Sequence, residues 1–110
     1  NQSSFFHNHH NCMYSGIFYL RTTNNTGNLI IEDHNDVRFK LEPTLYNFYN
    51  AREFTFDVQN NSIIFFPSEC HHRVLTHNSD ITRYAIAFNL IPVGKIGIEG
   101  DDSFVNLQTI

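Results

Sequence analysis

Five short runs of β-branched and aromatic residues, each closed off by Asn, Asp, Gly or Pro, set the terms for any fold of this chain. They are residues 14–20 (YSGIFYL), 29–32 (LIIE), 53–58 (EFTFDV), 62–66 (SIIFF) and 82–90 (TRYAIAFNL). Such residues fit a pleated, half-buried surface, and the intervening Thr23-Asn24-Asn25-Thr26-Gly27-Asn28 and Gln59-Asn60-Asn61 carry turn chemistry. Helical periodicity is weak throughout. Short strands at this spacing predict an antiparallel sandwich or barrel. Residues 41–51 read as a loop or a single helical turn. The tail after Pro92, with Gly94, Gly97 and Gly100, is expected to wrap the outside of the sheets.

The 110 residues are 41% hydrophobic and 16% charged, which suits one globular domain over residues 1–110. No apolar run approaches the roughly 20 residues of a spanning helix, and no secretory leader pattern is present, so no membrane role is expected. A net charge of −4 argues against electrostatically driven nucleic-acid binding, which needs a cationic face. Cys12 and Cys70 stand far apart and make no disulfide framework, which points to a reduced, cytoplasmic setting. The first residue is Asn rather than Met, so the chain is expected to begin inside a longer gene product.

Alternation in 82–90 divides the run into two faces. Tyr84, Ile86 and Phe88 read as ordinary core, whereas Arg83, Ala85, Ala87 and Asn89 set a cation beside small side chains. That second face reads either as a solvated exterior or as a pocket for an anionic ligand.

Histidine supplies the chemistry. Five of seven lie in two clusters, His7-Asn8-His9-His10 and His71-His72. In extended chain, residues i and i+2 point the same way about 6–7 Å apart. His7 and His9 can therefore offer two imidazoles to one ion while His10 points away. Two ligands on one strand and a third from a distant one make a facial triad with open positions for substrates. Imidazole suits Fe, Zn, Cu and Ni alike, and clustered surface histidines also occur with no metal at all. His34 and His77 read as loop residues.

Other chemistries fit poorly. Ser15 and Ser68 lack a nucleophile-elbow context, no phosphate-cradling glycine loop is present, and Cys70 and His71 are strand neighbours that point apart. The pairs Glu32-Asp33 and Asp101-Asp102 are sequence neighbours in expected turns.

The order of these motifs resembles a family. His7-Asn8-His9-His10-Asn11 followed by Ser15-Gly16-Ile17-Phe18-Tyr19-Leu20 is similar to the HNHPN…SGVYYL opening of the 2-oxoglutarate/Fe(II)-dependent oxygenases related to prolyl hydroxylases and frequent in marine phages. Leu29 to Asp33 resembles the family's strand ending in an acidic residue. Phe65-Phe66-Pro67-Ser68 with His72-Arg73-Val74 resembles its FPS…HxV segment. Arg83 to Asn89 is similar to RxSIAFN, and Val93-Gly94-Lys95-Ile96-Gly97 to the KGKIG-type tail of phage members.

The resemblance implies an all-β double-stranded β-helix, a cupin-like jelly roll of two antiparallel sheets enclosing a metal. It implies His7 as the first iron ligand, His72 as the distal one, and Arg83, eleven residues after His72, as the 2-oxoglutarate clamp. Tyr19 matches a position that often donates its hydroxyl to the same carboxylate. The implied activity is a dioxygenase using Fe(II), 2-oxoglutarate and O2 to hydroxylate an unidentified peptide side chain or small metabolite, with release of succinate and CO2. The phage likeness implies the cytoplasm of an infected bacterium.

One departure stands out. His9 occupies the place of the usual carboxylate ligand. Either three histidines hold the iron, or Asp33 or Asp36 swings in, or His9 lies behind a two-ligand site; the i,i+2 geometry favours three histidines. Only six residues precede His7, where related enzymes carry helices and a strand, so the chain is expected either to be a fragment of a longer one or to complete itself by homo-oligomerising. Two other readings stand beside the oxygenase. One is a cupin-like three-histidine jelly roll that does not use 2-oxoglutarate, and the other is a non-catalytic β-sandwich module.

Overall fold

A computed structural model describes residues 3–23, 26–32 and 42–108. Eight strands form in chain order: β1 (Tyr14–Arg21), β2 (Leu29–Glu32), β3 (Glu53–Phe56), β4 (Ser62–Pro67), β5 (His72–Val74), β6 (Tyr84–Leu90), β7 (Gly94–Ile96) and β8 (Val105–Leu107). The described residues contain no helix and are all-β, and every strand pair among them is antiparallel. None of them therefore forms a helix long and apolar enough to cross a membrane.

Two three-stranded sheets carry the structure, one ordered β4-β1-β6 and the other β3-β2-β5. The N-terminal segment extends the second sheet beyond β5. Ser4 N–H donates to the Val74 carbonyl at 3.1 Å, and His7 and His72 exchange backbone bonds of 3.1 and 2.9 Å as an isolated antiparallel bridge. Residues 42–52 form bends and a turn, stapled where Asn47 and Asn50 side chains bond nearby backbone groups.

Register decides which face is inside. Directly opposed residues of antiparallel strands share a face. Ser15, Phe66 and Asn89 therefore make one inward rung of the first sheet, Ile17, Ile64 and Ala87 the next, and Tyr19, Ser62 and Ala85 the third. In the second sheet His72, Ile31 and Phe54 make one rung and Val74, Leu29 and Phe56 another. The core lies between these faces: Ile17, Tyr19 and Phe66 pack with Leu29, Ile31 and Val58. Each such buried side chain contributes roughly 1.5–3 kcal/mol.

Two expectations are overturned here. The face bearing Tyr84 and Ile86 is not core: these side chains are 53% and 52% exposed, and Ile63 and Phe65 of β4 share that outer surface. Their exposure follows from the register, because Tyr19 and Ser15 face the second sheet and their β6 partners are Ala85 and Asn89. The tail does not wrap the sheets either. β7 and β8 pair only with each other, as a separate two-stranded ribbon beyond the two sheets, and their residues are exposed.

Candidate metal centre

The backbone bridge between His7 and His72 is what brings the two histidine clusters together. His72 points inward, is 3% exposed, and packs its ring 4.5 Å from the Phe66 ring of the opposite sheet. The His7 ring lies 4.3 Å from that of His72, and the His9 ring 5.2 Å from His7 and 5.1 Å from His72, centroid to centroid. One nitrogen from each of the three lies within 4.8 Å of the others. Two imidazole nitrogens on one ion, with bonds of about 2.1 Å, stand at most about 4.2 Å apart. A small inward turn of the rings therefore brings all three onto one cation.

Two of the rings are already oriented. His7 Nδ1 lies 2.8 Å from the Phe5 carbonyl and His72 Nδ1 3.1 Å from the Cys70 carbonyl. A carbonyl only accepts, so each Nδ1 carries the proton and each Nε2 presents its lone pair. The electrostatics favour the neutral forms of His9 and His72. Burial pushes the His9 imidazole below its usual range, and His7 beside it adds to the shift. Burial also lowers His72; its bond to Cys70 opposes this, while His7, His9 and His71 reinforce it. Imidazole nitrogens are suitable donors for a divalent transition metal.

Arg83 stands just before β6, at the other end of that strand's inner face. Its Nη1 donates to the Gly27 carbonyl at 2.8 Å, and its guanidinium carbon lies 5.0 Å from the centre of the Tyr19 ring. Tyr19 is fully buried, and its hydroxyl, set beside the Arg83 side chain, has no acceptor for its proton among the described residues. Burial holds this phenol above its ordinary pKa, with the Arg83 charge and hydrogen bonding from the Arg83 side chain pulling the other way. It is thus a protonated donor without an acceptor, beside a cation. A cavity of about 580 Å³ opens here, with Val74 of one sheet and Ala85 and Arg83 of the other in its wall. Val74 shares a strand face with His72, two residues away, while His7, His9 and His72 themselves are not in the cavity wall.

The five residues singled out from the sequence thus fall into two groups, His7, His9 and His72 in one and Arg83 and Tyr19 in the other. Asp33 and Asp36, the carboxylates considered as alternative ligands, lie outside the described residues, as does His34. Glu32 lies against His71, whose Nδ1 is 3.7 Å from its Oε2. Gly27 was read only as part of a turn. Its φ of +66° and its lack of a Cβ admit the guanidinium, since a Cβ there would collide with Arg83 Nη1. His77 is a loop residue, as expected, with Nε2 2.9 Å from the Ile81 carbonyl.

A comparison with curated proteins and one with solved structures gave no match. A sequence model of the family described as putative 2OG-Fe(II) oxygenase matches residues 1–89, which include both histidine clusters, Tyr19 and Arg83. With more than half of the chain matched, the protein belongs to the 2OG-Fe(II) oxygenase family.

Proposed function

We propose that this chain is a non-haem Fe(II)- and 2-oxoglutarate-dependent dioxygenase domain, built on a double-stranded β-helix. The observation that carries the reading is the pairing of a three-nitrogen cluster with a buried Tyr19 hydroxyl, which has no acceptor among the described residues, beside the Arg83 guanidinium. A lone buried hydroxyl costs about 1–3 kcal/mol, so a ligand oxygen that relieves it is strongly favoured. A carboxylate accepts from a phenol and an arginine together. Family membership supports iron as the metal and 2-oxoglutarate as the acid.

In this reading His7, His9 and His72 hold the ion, and the donors of Arg83 and Tyr19 anchor the distal carboxylate of the cosubstrate. Bound iron, with O2 and 2-oxoglutarate, supplies the oxidising power that hydroxylates a C–H bond of a second substrate while the cosubstrate leaves as succinate and CO2. The chain's own part is orientation and exclusion of water. Ala85 and Ala87 leave room along β6 between Arg83 and the histidine rung, and Phe66 and Ile31 line the dry side. His9 in the carboxylate's place leaves the site one negative charge short, so the ion is held by neutral donors alone.

Anaerobic addition of Fe(II) and then 2-oxoglutarate tests this. A weak visible charge-transfer band that needs both, and is lost in Arg83→Ala while metal binding persists, is the expected result. Metal binding with no such band overturns the cosubstrate role and favours the cupin-like site. No metal binding overturns the proposal altogether.

A further inference from the structure

A chain of polar side chains, two of them buried serines, runs from the segment that bonds His9 out to β6, and nothing in the proposed chemistry uses it. Ser15 and Ser68 are each 1% exposed, although their surroundings are the apolar core of Ile17 and Phe66. Ser15 Oγ donates to Asn89 Oδ1 at 2.8 Å. Its single proton is therefore committed, so the 2.9 Å contact between the two serines must be Ser68 Oγ donating to Ser15 Oγ. The relay is directional and complete, from Ser68 to Ser15 to Asn89.

It joins three segments that are distant in sequence: the turn after β4, β1 and β6. The main chain of Ser68 is also engaged on both sides. Its N–H donates to the Met13 carbonyl and its carbonyl accepts from His9 N–H, both at 3.0 Å. Asn11, at φ 62°, folds the intervening backbone so that residues 9 and 13 both reach Ser68. Met13 N–H in turn donates to Leu90 O at 2.9 Å, next to Asn89.

His9 is the residue that needs this support. The rings of His7 and His72 are each set by a carbonyl two residues earlier, whereas the His9 ring makes no hydrogen bond with the described residues. Among the described residues, the hydrogen bond that sets its place is the backbone one to Ser68, with the rings of His7 and His72 beside it. We infer that Ser15, Ser68 and Asn89 are positioning residues of the metal centre, which fix the backbone of His9 by locking the turn that holds it. The inference rests on the metal-site reading proposed above, and not on the identity of the cosubstrate.

The test is titration of the metal-free protein with Co(II), which reports both affinity and, in its visible d–d bands, ligand geometry. Ser15→Ala and Ser68→Ala are expected to weaken Co(II) binding about tenfold and to alter the d–d spectrum, as partners that orient metal ligands do. Asn89 is exposed, so its substitution is not expected to prevent folding. Asn89→Ala is expected to weaken Co(II) binding severalfold, and Asn89→Asp, which keeps the acceptor oxygen, to restore it. His10→Ala, outside the relay, is expected to bind as the wild type does. Loss of thermal stability with unchanged affinity and spectrum across the relay variants would overturn the inference and leave the serines as packing alone. A wild-type protein that takes up no Co(II) overturns the metal-site reading itself, and the relay's role falls with it.

Discussion

The Arg83 guanidinium sits over the ring of Tyr19, its carbon 5.0 Å from the ring centre, while one of its nitrogens is tied to the Gly27 carbonyl. The arginine thereby has a fixed place before any acid arrives, and the fully buried phenol beneath it keeps a hydroxyl that is not yet spent. Preorganisation of this kind lowers the ordering cost of binding.

Tyr19→Phe separates the two costs. Removing a buried hydroxyl whose proton has no acceptor among the described residues is expected to change the stability of the ligand-free fold little. The same change is expected to weaken 2-oxoglutarate binding by about 0.5–1.5 kcal/mol, the worth of one hydrogen bond. Thermal melts with and without Fe(II) and 2-oxoglutarate read both quantities. A variant that loses stability without the ligand and none with it would contradict the assignment.

Gly27→Ala should act on the clamp from outside the cavity. A left-handed alanine costs about 1–2 kcal/mol, and the new Cβ would displace the guanidinium. The expected outcome is a lower denaturation midpoint together with weaker 2-oxoglutarate binding and unaltered metal affinity. Weakened metal binding in this variant would place Arg83 and the histidines in one site rather than two adjoining ones.

His72→Ala removes one of the three proposed metal ligands and a ring packed against Phe66. Metal-induced stabilisation, which grows with the logarithm of ligand concentration over Kd, should vanish in this variant. His9→Asp is expected to hold Fe(II) as well as or better than the wild type, because it restores a negative ligand at that position. Metal binding measured on both variants decides; an unchanged stoichiometry in His72→Ala would refute the triad.

The histidines also predict a pH dependence. His9 and His72 have pKa values below the ordinary value of 6.5 in the folded chain. As pH falls through the unfolded value towards the folded ones, the unfolded state takes up protons that the folded state refuses, so their contribution to stability falls. Above the unfolded value that contribution is constant. Urea midpoints of the metal-free protein should therefore drop between neutral and mildly acid pH, and drop less in His72→Gln. A midpoint unaffected by that substitution across the same range would show that His72 titrates normally.

Much of this was legible in the sequence, for a physical reason. Strand-forming side chains and turn residues act locally, so β2 matched the residues read from the sequence, and β1, β3, β4 and β6 matched to within about two residues at each end. The i,i+2 spacing of His7 and His9 is likewise a local geometric fact. Tertiary structure alone decided the rest. β5 is only three residues long and lacks a strong local signal; it exists because β2 and the N-terminal segment flank it. Alternation along β6 showed two faces and could not say which was inward, since that depends on Tyr19 and Ser15 of β1 facing the second sheet. Ser15 and Ser68, unremarkable as nucleophiles, acquire a role only when residues 53 positions apart in the chain come within 2.9 Å. Sequence specified the donors and the strands that carry them; their partners were fixed by long-range pairing, which no local pattern encodes.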